Sequence, residues 1–285
     1  MTHNALEVIN LNKSYGSFAL QDVSFSIATG SIMGFVGLNG AGKTTTIKSI
    51  LNLVHYSSGE IRLLGKTMAP YDVSTDIGVI TDSPLYADDW SIRDVERVSS
   101  LFHKDWNKKS FDALLNKFDI DKSKKIVQLS TGMSVKLMLA VALSHDAKLL
   151  ILDEPTSGLD PSARDELCDI LLDYVRNGDK SILFSTHITT DLEKIADTVT
   201  FIRGGRIVFS GNKADLLNKY IHVKGSLGDL TDTYAKLIIG LKTQADEFSG
   251  LVDSKDVPHL PGNIKTAPAI LDDIVAYLNR GDTRE

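Results

Sequence analysis

Short apolar runs recur along the N-terminal part of the chain, each bounded by glycine or by polar residues. In Ala19–Ile27 apolar and polar residues alternate, which is typical of a strand exposed on one face. Leu149–Leu152 and Ser181–Ser185 do not alternate, which is typical of parallel strands buried on both faces. Further strands are predicted over Leu6–Leu11, Ile32–Val36, Glu60–Leu64, Asp76–Thr81, Thr198–Arg203 and Arg206–Phe209, with a turn at Lys13–Gly16.

Helical periodicity dominates between Ser91 and Ser144. Ser91 followed three residues later by Asp94 is typical of a capping pair at a helix start. Met133–Leu143 is predicted to be an apolar-rich helix that is too short to span a bilayer. The alternation of strands and helices predicts an α/β core whose chemistry lies at the carboxyl ends of its strands.

After about Gly211 the pattern changes and recognisable motifs stop. Strands are predicted at Tyr220–Lys224 and Phe248–Val252, and a helix is predicted at Asp229–Leu241. Pro268 is predicted to open a final helix, since proline is favoured in the first helical turn. Residues 212–285 are therefore interpreted as a small α/β appendage to residues 1–211.

One stretch, Ser31–Leu53, joins a strand, a glycine loop and a helix in the order that phosphate binding requires. Glycines let backbone N–H groups point into one concavity, and the helix N-terminus adds partial positive charge. Lys43 can reach the outer phosphates, and the Thr44 hydroxyl can ligate Mg²⁺. The alternative is a glycine-rich turn that binds nothing, but strand and helix together favour a nucleoside triphosphate. The predicted binding residues here are Gly37, Asn39, Gly40, Ala41, Gly42, Lys43, Thr44 and Thr45.

Two adjacent carboxylates, Asp153 and Glu154, follow a predicted buried strand. Asp153 is placed to hold Mg²⁺ through water, and Glu154 to orient or deprotonate the water that attacks the γ-phosphate. An acidic cap on the following helix is the alternative. The glycine loop upstream favours the catalytic interpretation.

Composition narrows the class of protein. The chain has 285 residues, of which 42% are hydrophobic and 24% charged, as in an ordinary soluble globular protein. A net charge of −6 argues against a general nucleic-acid-binding face. No apolar run reaches the roughly 18 residues of a membrane span, and the N-terminus does not have the pattern of a secretory signal. The one cysteine, Cys168, excludes an internal disulfide and is expected to be a packed, inert thiol.

Four motifs occur in a fixed order: GLNGAGKTT, LSTGM, LLILDEPTSGLD and STH. In this order they resemble the ATP-binding subunit of an ABC transporter, most nearly those of bacterial ABC-2-type exporters. The resemblance implies a P-loop NTPase (RecA-like) core, an antiparallel β subdomain and a helical subdomain at about residues 84–144.

The resemblance also assigns roles to single residues. Tyr15 would stack on adenine. The alternative is that Tyr15 is an aromatic at a strand end that only covers the sheet. Ser130 and Gly132, in the signature motif, would bind the γ-phosphate held by an opposite subunit, although Ser130 could simply cap the following helix. His187 would be the switch histidine at the γ-phosphate, with a satisfied core histidine as the alternative.

Two positions depart from the family pattern. The signature, usually LSGGQ, has Met133 in place of glutamine. Asp82 stands where the family has a glutamine, and we expect its carboxylate to ligate Mg²⁺. The alternative for Asp82 is a turn-capping role before Pro84.

The resemblance implies an ATP-hydrolysing motor subunit that uses ATP and Mg²⁺. It would pair head to tail as a homodimer or with a paralogous ATPase, and dock on separate integral-membrane permease subunits, without binding nucleic acid. It would then be cytoplasmic, peripheral on the inner face of the cell membrane. Two alternatives remain open: a soluble ABC ATPase that acts on nucleic acid or ribosomes, and a non-hydrolysing nucleotide sensor.

Overall fold

The computed structural model describes residues 4–67, 76–81 and 86–280. The chain divides into two compact units, one ending at Val208 and the other beginning at Phe209. Each unit has its own hydrophobic core and is described separately.

Ten described strands begin in the first unit: β1 (Asn4–Tyr15), β2 (Phe18–Ala28), β3 (Ile32–Val36), β4 (Ser58–Leu63), β5 (Lys66–Thr67), β6 (Ile77–Ile80), β7 (Leu149–Asp153), β8 (Ser181–Thr186), β9 (Thr198–Arg203) and β10 (Arg206–Asn212). Its described helices are α1 (Lys43–Ile50), α2 (Ile92–Phe102), α3 (Lys108–Lys117), α4 (Thr131–Ser144), α5 (Pro161–Val175) and α6 (Thr189–Ile195).

The central layer is a six-stranded sheet in the order β10-β9-β3-β8-β7-β6. β3 pairs in parallel with both β8 and β9, and β7 pairs in parallel with β6 and β8. Every residue of β3, β7 and β8 is buried, which explains why their apolar residues do not alternate with polar ones. The prediction of a buried parallel sheet is confirmed.

A second, antiparallel sheet has the order β2-β1-β4-β5. Its apolar face and the central sheet share one core, in which the rings of Phe25 and Phe35 stack with centroids 5.2 Å apart. The predicted turn at Lys13–Gly16 is wrong for its first three residues. The β1–β2 ladder continues to the Tyr15–Phe18 pair, so the turn begins only at Gly16.

The helical segment begins with the predicted capping box. The Ser91 amide donates to the Asp94 carboxylate at 3.0 Å, and the Asp94 amide donates to Ser91 Oγ at 3.3 Å. Helix α4 contains the predicted Met133–Leu143 helix, is apolar on nearly all sides, and packs against α3 and β6. An ammonium group from Lys122 bridges Glu96 and Asp112 and ties α2 to α3.

The second unit is a four-stranded antiparallel sheet in the order β12-β13-β11-β14. The strands are β11 (Tyr220–Ser226), β12 (Ile239–Gln244), β13 (Glu247–Asp253) and β14 (Lys265–Pro268). The described helices are α7 (Lys213–Lys219), α8 (Asp232–Leu237) and α9 (Leu271–Arg280), the last packing on β12 and β13. On the other face of the sheet, Val223, Phe248 and Val252 form the centre of a small core.

Two predictions for this unit are wrong in part. The helix predicted at Asp229–Leu241 ends at Leu237, because Ile239 begins a strand that pairs with β13. Pro268 does not open a helix but ends β14, where it lies opposite Ile221. β14 is an edge strand, which is where proline is tolerated in a sheet because it has no N–H to donate.

Candidate functional site

The loop between β3 and α1 lies at the carboxyl end of a central strand. A Cβ at Gly37 would lie 2.4 Å from the carbonyl oxygen of Ile202, so only glycine lets β3 leave the sheet here. Gly42 has a φ of +115° and caps α1, a backbone conformation that side chains rarely allow. The loop therefore turns its amides and the start of α1 toward one concavity, which is the geometry of an anion site.

Lys43 is almost fully buried in this loop, with 6% of its side chain exposed. Its ammonium donates to the Gly37 carbonyl at 2.7 Å and lies 3.2 Å from Glu154 Oε1. The positive charge is thereby fixed beside the amides of the loop and the end of β7.

Asp153 is the last residue of β7 and is buried. Burial raises the pKa of its carboxyl, and hydrogen bonds from the Thr44 and Ser185 hydroxyls oppose that rise. The Ser185 bond measures 3.0 Å. Thr44 and Asp153 thus bring a hydroxyl and a carboxylate oxygen together at the base of the loop, which is a donor set that suits a hard cation.

Glu154 joins three parts of the site. Its φ of +52° is uncommon for a residue with a side chain, and its amide donates to the Ser185 carbonyl at 2.9 Å. Its carboxylate lies between Lys43 and His187, and Oε2 is 2.8 Å from His187 Nδ1. The His187 amide also donates to Oε2 at 3.3 Å. A carboxylate held this way is positioned to accept a proton at the mouth of the loop.

These groups line one cavity of about 520 Å³. Its predicted lining residues are Asn39, Gly40, Gly42, Lys43, Thr44, Thr45, Glu154 and His187. Phe18 also lines it and was not predicted as a site residue. Ser157 lines it too; the family resemblance places Ser157–Asp160 in the D-loop without assigning Ser157 a binding role. No local pattern predicts the place of Phe18. In the structure its ring lies beside the loop, 3.0 Å from where a Cβ on Gly42 would stand.

Tyr15 does not line this cavity. It is 46% exposed at the end of β1, and the Lys13 ammonium lies 4.6 Å from the centre of its ring. It is the cross-strand partner of Phe18. Adenine stacking by Tyr15 stays a prediction, with Phe18 as the aromatic nearest the loop.

Ser130 and Gly132 lie outside the same cavity. Ser130 is the N-cap of α4 and accepts a hydrogen bond from the Met133 amide at 3.3 Å. A Cβ at Gly132 would lie 3.3 Å from Leu159, so the start of α4 adjoins the segment that follows Glu154. The structure thus separates the signature segment from this chain's own loop, and Ser130 remains exposed.

Comparisons with known proteins agree with this geometry. Residues 20–157 match the family described as "ABC transporter". The lantibiotic transport ATP-binding protein SrtF of Streptococcus pyogenes is 34% identical over 226 residues, which cover 76% of this chain and 97% of that protein. The Nod factor export ATP-binding protein I of Rhizobium leguminosarum bv. viciae is 32% identical over 76% of this chain and 72% of its own length.

The chain belongs to the ABC transporter ATP-binding family. Solved structures agree: the ATP-binding subunit of an ABC transporter matches with a TM-score of 0.67 and 28% identity, over 74% of this chain and 91% of that one. CbiO1 from Clostridium perfringens, part of an ABC transporter complex, matches with a TM-score of 0.61 and 27% identity, over 75% of this chain and 90% of that one. The P-loop NTPase fold predicted from the four motifs is confirmed.

As an ABC ATP-binding subunit, the chain binds and hydrolyses ATP, and subunits of this family work with membrane permease components. Within the residues that the structure describes, no helix is both long and apolar enough to cross a membrane. Asp82 lies outside the described residues, so its metal role stays a prediction.

Proposed function

We propose that the chain is the motor subunit of an exporter and that Glu154 is its catalytic base. The observation that carries the catalytic part is the contact of one carboxylate with both Lys43 and His187 at the mouth of the loop. Two relatives are named as a lantibiotic transport protein and a Nod factor export protein. These names support export as the direction of transport.

In the proposed mechanism, loop amides and Lys43 bind the phosphates, and Glu154 takes a proton from the attacking water. His187 Nδ1 lies 2.8 Å from Glu154 Oε2, and Nε2 would face a γ-phosphate oxygen. Donation to both oxygens requires a proton on each ring nitrogen, which is the imidazolium form. Thr44 and Asp153 would hold Mg²⁺, with Asp82 as a further predicted ligand. When bound, the ion neutralises charge on the phosphates. Burial of Asp153 supports this assignment, because a nearby cation offsets the cost of a buried carboxylate.

We further propose that two cassettes pair head to tail, either as a homodimer or with a paralogue, on separate permease subunits at the inner face of the cell membrane. The exposed N-cap Ser130 supports this arrangement, since a capped helix start can bind the phosphate held by a second chain. ATP would favour the closed pair because only that state contacts the γ-phosphate from both sides.

Glu154→Gln tests the proposal. We expect this variant to keep its ATP affinity, to lose steady turnover by at least about a hundredfold, and to accumulate as an ATP-dependent dimer, because the amide cannot accept the proton. The measurements are phosphate release, nucleotide titration and size-exclusion chromatography with light scattering.

Glu60→Gln is the matched control, since Glu60 is a partly exposed acid on β4 that pairs with Arg62 away from the cavity. Turnover in Glu154→Gln equal to that of the control would remove Glu154 from the catalytic role. Loss of turnover without any ATP-dependent dimer would contradict the head-to-tail pairing and leave the catalytic role intact.

A further inference from the structure

The second unit contains a polar cavity of about 450 Å³ that is separate from the nucleotide site. It lies over β11, β12 and β13 beside α9, and its volume falls within the range of small-molecule pockets, about 300–1,000 Å³. Its polar lining includes His222, Lys224, Lys242, Ser249 and Tyr277.

Strand register brings basic side chains together on this face. Ser249 of β13 lies directly opposite Lys224 of β11 on one side and Lys242 of β12 on the other. Lys265 of β14 lies opposite Lys224 on its far side. Directly paired residues share a face of an antiparallel sheet, so three lysines and a serine form one row across four strands.

This row carries excess positive charge in a chain whose net charge is −6. Glu247 lines the cavity and lies 2.7 Å from Lys224. The ammonium groups of Lys242 and Lys265 make no ion pair or hydrogen bond with any residue in the described part of the chain. Lys224 and Lys265 lie directly opposite each other, and like charges in that position are destabilising. Glu247 offsets part of the positive charge of the row, and a bound anion would offset more.

Hydrogen-bond donors also point to an anion. Tyr277 donates its hydroxyl proton to Ser249 Oγ at 2.9 Å, and His222 Nε2 lies 3.3 Å from the Tyr277 oxygen. Ser249 Oγ accepts the hydrogen bond from Tyr277, so the hydroxyl proton of Ser249 is still available. Ser249 donates that proton to no residue in the described part of the chain. Gly240 allows α9 to lie close enough for these hydrogen bonds. A Cβ at Gly240 would lie 2.2 Å from the Tyr277 carbonyl oxygen and push α9 away from β12.

We propose that this cavity binds a phosphate group through Lys224, Lys242 and Ser249. Adjacent strands lie about 4.8 Å apart, so two lysine side chains can reach over the serine between them. Three donors from three adjacent strands on one face of the sheet match the several oxygens of a tetrahedral phosphate better than the two of a planar carboxylate. Lysine binds phosphate as a point charge, so the Lys224 ammonium can turn from Glu247 to the ligand. The phosphate belongs either to a small soluble molecule or to a lipid headgroup.

Calorimetric titration of the full chain with inorganic phosphate tests the site. We expect Lys242→Gln and Ser249→Ala each to weaken binding by about tenfold or more, because each removes a donor to a charged group. Lys255→Gln is the matched control: it removes the same charge from an exposed lysine of the same unit that does not line the cavity. Phosphate binding at the nucleotide loop is common to all these chains and cancels in the comparison.

A second arm measures sedimentation with phosphatidylcholine vesicles that contain or lack phosphatidic acid. Binding to phosphatidic acid that depends on Lys242 and Ser249, while binding of free phosphate is the same in all variants, would assign the phosphate to a lipid and keep the site. Equal affinity in wild type and Lys242→Gln, equal losses in Lys242→Gln and Lys255→Gln, or no binding in either arm beyond that of the nucleotide loop would overturn the proposal. Circular dichroism of each variant checks that the substitution leaves the fold intact.

Discussion

Glu154 combines an unusual backbone with a crowded set of polar contacts. A side-chain-bearing residue at a φ of +52° stores strain, and such strain is typical of functional positions. Here the backbone conformation directs the carboxylate toward both Lys43 and His187. For Lys43 and Cys168, burial and not backbone conformation determines how the side chain behaves.

Lys43→Ala should weaken ATP binding by roughly tenfold to a hundredfold, since a charge-assisted hydrogen bond contributes about 1.5–3 kcal/mol. Lys48→Ala is the control, because Lys48 is an exposed lysine one turn further along α1 that does not line the cavity. Nucleotide titration measures both. Wild-type affinity in Lys43→Ala would contradict the role assigned to the loop.

Cys168 should resist thiol reagents in the folded protein. Burial raises the pKa of its thiol from 9.0 to about 11, and a rise of two units lowers the thiolate fraction by about a hundredfold. Alkylation at pH 8 is the measurement, and every labelled molecule reports Cys168 because the chain has one cysteine. The chain in denaturant is the control; equal rates in the two states would show that the thiol is accessible.

Among the secondary-structure elements, the β3–α1 loop depends on glycine for two different reasons. Gly40 has a φ of +79°, but a Cβ there would meet no atom within 4 Å. At Gly37 the obstacle is the backbone carbonyl of Ile202, which no side-chain rotation can remove.

Gly37→Ala should therefore lower the free energy of unfolding more than Gly40→Ala. For Gly40→Ala we expect a loss of about 1–2 kcal/mol, the usual cost of a left-handed backbone. Gly37→Ala adds displacement of β3 from β9, and we expect at least about 1 kcal/mol more. Urea unfolding of both variants measures the difference. Equal losses would mean that the loop moves away from Ile202 without cost.

At the scale of the whole molecule, the nucleotide cavity and its supporting core use only residues that precede Phe209. The second unit has its own sheet and core. The functional division at about Gly211 is our proposal, and the compact units give it a physical basis.

A chain ending at Gly211 should consequently retain ATP binding, because every described lining residue of the cavity is still present. Nucleotide titration of the truncated chain, after circular dichroism has shown that it is folded, measures this. The same truncation carrying Lys43→Ala is the control and should bind weakly. A folded truncation that binds no ATP would show that the proposed division is wrong.

The sequence by itself determined the phosphate loop and the family. A strand, a glycine loop and a helix adjacent in sequence form their geometry locally, so residue types between Gly37 and Thr45 are sufficient to predict it. The buried parallel strands were equally predictable, since burial on both faces leaves an unbroken apolar run.

Only the tertiary structure decided which side chains meet. The contact of Glu154 with both Lys43 and His187 depends on the strand order that places β3, β7 and β8 side by side, and no local pattern specifies that order. The same holds for the row that joins Lys224, Ser249 and Lys242, and for the strands found at Ile239 and Pro268. Pairing with distant strands overrides weak local preferences, because the ladder bonds and buried area that select the conformation come from residues far away in the chain.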